Sequence, residues 1–351
     1  MNRVATPLGA PPGVPPWWDG LHRSADNASV FLSAAWIGTW LEVYGGDFQG
    51  QWVHWREGES VVGGCLLVTR VVRRRLVPLR ALFLNATGEA TDRTPLAEFN
   101  AILCLPGYEA PVAADFLALL RTLDWDCLFL SGYEDCGQLD RIAADIPTAM
   151  LRRESRPAPF VDLAALAAVP FENALSANTR GQLRRTRKLY EERSGRLELR
   201  VAASLDEALA FLDEVARLHN SRWESKGKEG SFASASVSRF HRLLVSRLWE
   251  EGAADLVRVR AGERDIGYLY NFRDRGKVSF FQSGFVYEDD ARLKPGLLTH
   301  ALAIGHYADG GLREYDFLAG IDGQGGDVHV DVAVDLLGGR AGGEVGDIPQ
   351  R

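Results

Sequence analysis

At 351 residues the chain exceeds one typical core and points to two domains, each large enough to fold without disulfide or metal staples. With 46% hydrophobic and 25% charged residues it has an ordinary globular composition, and a net charge of -7 argues against a general nucleic-acid coat. Four cysteines without CxxC spacing, no basic-then-apolar leader and no apolar run near the ~20 residues that span a bilayer argue against a disulfide scaffold and a transmembrane protein. The expectation is buried thiols in a cytoplasmic protein, any membrane link coming through a partner.

Residues 1–26 carry many prolines and glycines and are expected to be a flexible arm rather than a helix, with Trp17 and Trp18 able to dock on the body. From residue 27, Phe31, Leu32, Ala35, Trp36, Trp40, Leu41 and Tyr44 follow helical spacing up to Gly45-Gly46, and Trp36 and Trp40 are expected in the core. Strands are predicted at 51–55, 61–72 and 76–84, broken by REGES and by Arg73, Arg74 and Arg75. The second part of 95–118 reads as a helix, 125–130 as a short buried strand, and 141–156 as a charged connection. Pro157, Pro159 and Pro170 mark a linker.

Residues 255–260, 265–272 and 277–285 form three β-rich runs separated by AGER and RDRG, the pattern of an antiparallel meander. RLKPG then opens a helical stretch, LLTHALAIGHYADGG, and a short apolar run at 315–318 returns as a strand. WREGESVVGGCLL (55–67) aligns with VRAGERDIGYLY (259–270) so that Gly58 falls on Gly262 and Gly63 on Gly267. With a helix before each meander, this order predicts an internal duplication. The first copy shows no equivalent of RLKPG, so a single chemical site is expected mainly in the second.

The ordered set NTRGQLRRTRKLYEERSGR (178–196), HNSRWESKGKEGSF (219–232), IGYLYNF (266–272), FFQSGF (280–285), KPGLL (294–298) and YDFLAG (315–320) resembles the CelD-type, BioF-like acyltransferases of the GNAT superfamily. The resemblance is carried by 176–320 and extends more thinly over 30–130. It implies an α/β fold of mixed sheets: two tandem GNAT-like domains similar to FemAB aminoacyltransferases, each a mostly antiparallel sheet flanked by helices. The expected division is a degenerate N-terminal GNAT-like domain at 27–160, a BioF-like GNAT domain at 171–320, and a divergent Gly/Asp-rich tail at 321–351 in place of the family's Tyr-Lys pair and last strand.

The resemblance implies acetyl-CoA or another acyl-CoA as co-substrate, and no metal; the seven histidines show no paired metal-ligand spacing. A pyrophosphate cradle is expected at Arg292, Leu293, Lys294, Pro295, Gly296, Leu297 and Leu298, because a glycine at a helix N-terminus lets phosphate meet open N–H groups beside a cation. KPG is equally the sequence of a tight turn with Pro295 starting a helix. A backbone N–H near Gln282, Ser283 and Gly284 is expected to hold the thioester oxygen, although Gly284 could mark a plain bulge. Asp316, His219 or a water held by either are the candidate bases, with Asp316 preferred, and Tyr270 or Tyr315 could protonate the leaving thiolate.

His219, Arg222, Trp223, Lys226 and Phe232 form a polar-aromatic cluster expected to bind the acceptor, a small or glycan-linked amine; a solvated helix end with Trp223 in the core is the plainer reading. Seven Lys/Arg lie between Arg180 and Arg196, which keeps open an aminoacyl-tRNA-dependent, FemAB-like alternative, but Glu191 and Glu192 interrupt the run. A non-catalytic accessory protein of envelope or polysaccharide synthesis is the third reading. GIDGQGG (320–326) is followed by strand-like alternation, which argues against a dinucleotide loop.

Overall fold

A computed structural model of the chain describes residues 1–45, 49–74, 76–86, 88, 97–134, 137–146, 150–166, 171–320 and 327–335. The first half runs β1 (Asn2–Pro7), α1 (Pro16–Ser24), α2 (Ala34–Tyr44), β2 (Gln49–Glu57), β3 (Ser60–Arg74), β4 (Val77–Leu84), β5 (Leu103–Cys104), α3 (Glu109–Leu120), β6 (Cys127–Glu134), α4 (Gln138–Asp145) and β7 (Met150–Ala158). The second runs β8 (Phe160–Asp162), α5 (Phe171–Ala174), α6 (Ala177–Ser194), β9 (Leu197–Val201), α7 (Leu205–Glu224), α8 (Ala235–Glu250), β10 (Ala254–Ala261), β11 (Arg264–Asp274), β12 (Lys277–Phe285), α9 (Pro295–Asp309) and β13 (Glu314–Asp316), with β14 (Asp327–Asp335) last.

The strands form two sheets, ordered β1-β2-β3-β4-β6-β14-β7 with β5 beside β3, and β8-β13-β12-β11-β10-β9. Within each, neighbours are antiparallel except for one pair, β4 with β6 and β12 with β13. Helix α3 crosses over between the first pair and α9 between the second, as a parallel pair requires.

Local geometry supports the duplication. Gly58 and Gly262 turn their hairpins with φ of 57° and 53°, a left-handed backbone that favours glycine. Each first strand then shifts register at the matching place, Trp55/Arg56 and Val259/Arg260. A Cβ on Gly63 would meet Val112 of α3 at 2.8 Å, and one on Gly267 would meet Thr299 of α9 at 2.8 Å, so each glycine lets its crossover helix lie close to the sheet. In the first half, Leu105-Pro106-Gly107 precedes α3 much as Lys294-Pro295-Gly296 opens α9. Glu109 in that first turn, with no neighbouring cation, makes it a poor anion site.

The expected arm is instead structured. Residues 2–7 pair with β2 in register Asn2↔Arg56 to Pro7↔Gln51, and Pro16 starts α1 where a missing N–H costs nothing. Trp18 is fully buried and its indole N–H donates to the Leu32 carbonyl at 2.8 Å, while Trp17 packs on Trp52 and His54. Trp18→Ala is therefore expected to cost about 4 kcal/mol of stability in urea unfolding, and an unchanged midpoint would mean the segment is detached. Residues 141–156 are likewise not a connection: α4 ends at Asp145 and β7 follows. The tail contributes β14, which pairs with β6 and β7 in the first sheet, whereas β8 crosses to the second, so the sheets exchange strands across the expected 160/171 boundary.

One core joins the halves. Trp36 and Trp40 lie in it as expected, with the Trp36 ring 5.2 Å from Phe240 of α8, 5.8 Å from Phe272 and 6.0 Å from Phe281. Arg247 of α8 bonds Thr39 and Glu42 of α2, closing the rim of that contact. Cys65, Cys104 and Cys127 are buried and in no disulfide; Cys136 lies outside the described residues.

Candidate active site

Strands β12 and β13 pair only at Lys277↔Glu314, Val278↔Tyr315 and Ser279↔Asp316, and then part. The cause is visible on β12: Gln282 opposes Tyr270 and Phe280 opposes Asn271, so Phe281 is an extra residue that bends the strand. The expected bulge is thus at Phe281, not Gly284. Because the Val286 N–H donates to Ile266, alternation turns the N–H groups of Ser283 and Phe285 toward the gap. The Gln282 side-chain oxygen takes the Ser283 N–H at 3.0 Å.

Helix α9 begins at that gap. Lys294 is its N-cap without a side-chain bond, Pro295 occupies the first turn, and the Leu298 N–H is the first to find a carbonyl, that of Lys294, at 3.1 Å. The Gly296 and Leu297 N–H groups have no partner among the described residues, which leaves an open anion site. A Cβ on Gly296 would stand 3.2 Å from the Phe285 ring. Leu293, Pro295 and Leu298 are buried and anchor the turn, and buried Thr186 of α6 donates to the Arg292 carbonyl at 3.0 Å. Arg292 itself is held by Asp290 through bonds of 2.9 and 2.7 Å, with Arg193 at 2.6 Å on the same carboxylate. Those bonds hold the Asp290 carboxyl well below the usual range. Lys294 is the exposed cation at the helix mouth.

The other predicted residues lie on the opposite face of the sheet. Gln282 points to the α7 side, where His219 bonds Ser231 at 3.1 Å and packs against Phe232 and Trp223. Burial pulls the His219 imidazole down to about 4, opposed by its hydrogen bond to the Gln282 side chain, which favours the protonated ring. Lys226 lies over the Trp223 ring, and Arg222 over Tyr287 at 4.2 Å. A Cβ on Gly284 would meet Leu218 at 2.8 Å and the Val215 backbone at 3.0 Å, so this glycine seats α7. Tyr270 is fully buried between His241, Phe272 and Phe281, and burial pushes its hydroxyl well above the ordinary value.

Asp316 is 1% exposed and forms an ion pair with Lys277 at 2.8 Å, and its other oxygen accepts the Leu318 N–H at 2.7 Å. Burial raises its carboxyl, against the pull of Lys277. Lys277 also meets Glu314 at 2.8 Å and lies 3.9 Å above the Phe99 ring of the first half. A cleft of about 610 Å³ opens there between the halves, lined by Phe99, Asn100, Gln138, Lys277, Ser279 and Glu314 among others. Ser279, the last residue before the strands part, belongs to this lining, whereas Gln282, Ser283 and His219 do not.

His300 was not singled out from the sequence. It sits one turn after Gly296, a polar residue in the apolar stripe of α9, and that position was the available signal. Its Nδ1 is 3.0 Å from the Tyr315 hydroxyl, and its ring is ringed by Phe280, Phe285 and Phe317. Burial lowers this imidazole to about 4, so it is neutral at pH 7. Lys277 and Thr186 were equally unmarked, since each works through a distant partner.

Residues 177–324 match the acetyltransferase (GNAT) domain family. No curated protein matches the sequence. Among solved structures, FemX is 10% identical with a TM-score of 0.59, covering 96% of this chain and 98% of that one. A conserved protein of unknown function from Bacteroides thetaiotaomicron is 10% identical with a TM-score of 0.53, covering 91% and 96%. A tandem GNAT protein from the clavulanic acid biosynthesis pathway is 14% identical with a TM-score of 0.47, covering 95% and 99%. The fold is thus mixed α/β, two sheets flanked by helices as in FemX, and the match to the acetyltransferase domain model falls in the second half. Among the described residues no group of side chains could hold a metal, and no helix is long and apolar enough to cross a membrane.

Proposed function

We propose that this protein transfers an acyl group, acetyl in the simplest case, from acyl-CoA to the amine of a small or glycan-linked acceptor by direct attack. The observation that carries this reading is the parting of β12 and β13 beside an uncapped helix N-terminus. The open N–H groups of Gly296 and Leu297, with Lys294, suit a diphosphate, and the gap suits the thioester arm. The α7 side of the gap, where His219 lies beside Gln282, suits the acceptor amine.

The amine nitrogen attacks the thioester carbon, the C–N bond forms, and the C–S bond breaks with its electron pair going to sulfur. Ser283 and Phe285 supply N–H groups for the charge on oxygen, Ser283 once the Gln282 oxygen yields to the substrate. His219, neutral and free of ion pairs, takes the amine proton. With Nδ1 on Tyr315, His300 offers its Nε2–H to the departing sulfur as a neutral donor. Asp316 positions β13 through Lys277, and buried Tyr270 supports the strand pair.

The aminoacyl-tRNA alternative has less support. In the basic run of α6, Arg187, Lys188 and Arg193 are paired to Glu172, Glu192 and Asp290. Acetyl-CoA is expected to raise the melting temperature, because a ligand bound only by the folded state adds about 2.7 kcal/mol at a hundred times its Kd. A flat melting temperature at saturating acetyl-CoA, with the fold intact, would end the acyl-CoA reading; thiol release with an amine mixture then tests turnover.

A further inference from the structure

The long hairpin of β3 and β4 does more than complete the first sheet. Strand β2 accompanies β3 only as far as Thr69, and β6 accompanies β4 only from Ala81. Between these limits, among the described residues, β3 and β4 pair with each other alone, in register Arg70↔Ala81 to Arg74↔Val77, a two-stranded ribbon that runs on past both neighbours. At a strand rise of 3.3 Å the ribbon reaches roughly 16 Å past the sheet.

Its composition is unlike the rest of this acidic chain. Residues 70–80 hold five arginines, and no Asp or Glu occurs from 61 to 86; Arg80 is ion-paired to Asp124 and Asp126, whereas Arg73 is exposed. Val71 is 65% exposed, Leu76 91% and Val77 55%, half of the exposed large hydrophobics among the described residues. Bare aliphatic side chains in a basic stretch cost free energy in water and gain it where hydrocarbon lies under anionic phosphates. No aromatic stands between 70 and 80 to stack on bases, which weighs against a nucleic acid. We propose that this ribbon docks the protein on an anionic bilayer surface, with Leu76 and Val77 entering the boundary between headgroups and acyl chains and Arg73 on lipid phosphates. The docking is independent of the transfer chemistry.

The test is flotation of the full chain with vesicles of equimolar phosphatidylglycerol and phosphatidylcholine, and with phosphatidylcholine alone. Wild type is expected to float with the anionic vesicles only, less so in high salt. Leu76→Asp with Val77→Asp, and separately Arg73→Glu, are each expected to weaken partitioning by roughly tenfold or more, with melting temperatures unchanged because Arg73, Leu76 and Val77 are exposed. Absent flotation of wild type, or wild-type flotation of the Leu76/Val77 variant, overturns the proposal. So does heparin binding that needs the arginines without vesicle binding, which indicates a soluble polyanion. Self-association lost with the Leu76/Val77 change, again without flotation, overturns it in favour of a second copy of the chain.

Discussion

Gly284→Val is expected to lower stability by about 3 kcal/mol or more, read as a shift of the urea midpoint. The new Cβ would stand 2.8 Å from the Leu218 Cβ, 3.0 Å from the Val215 Cα and 3.1 Å from the Val215 carbonyl oxygen. Two of those three atoms are backbone, so no rotamer change relieves the contact. Helix α7 would have to lift from β12, and with it Phe211, Leu212 and Val215 would leave the core that joins the halves. Ala at the same place meets the same three atoms and is expected to cost less only by the further methyl groups. A wild-type midpoint for the valine variant would show that α7 does not lie on β12 as described.

Gly296→Glu is expected to act in the opposite sense, with stability kept and turnover lost by roughly a hundredfold or more in kcat/KM. Gly296 is half-buried at the start of α9, where a carboxylate is favourable to the helix by about 0.3–1 kcal/mol. Its Cβ would meet only the edge of the Phe285 ring, at 3.2 Å. The carboxylate would, however, cover the Gly296 and Leu297 N–H groups and repel a diphosphate. The measurement is the acetyl-CoA-induced rise in melting temperature together with thiol release. Turnover equal to wild type would place the donor elsewhere than α9. The sequence makes these two glycines look alike, both beside expected donor contacts, but one answers to a helix on the far face and the other to an open helix end.

What the sequence determined by itself is whatever is encoded within a few residues. Period-two alternation and Gly-containing breaks marked β10, β11 and β12, helical spacing marked α2 and α9, and Gly58 with Gly262 announced two copies of one hairpin because a left-handed turn needs glycine in each. The helix-opening KPG was legible for the same reason, since Pro and Gly act on their own backbone. Tertiary structure alone decided the rest. Prolines in 1–26 hid a strand that exists only because β2 offers it an edge, and a helix held by the burial of Trp18. Strand β14 belongs to the first sheet because β6 and β7 leave it a place, which no local pattern records. The parting of β12 from β13, the Lys277–Asp316 pair, and the placing of His219 and His300 on opposite sides of one gap all depend on contacts between residues far apart in the chain. Periodicity specifies which face of an element is apolar; which element covers that face is settled only when the whole chain packs.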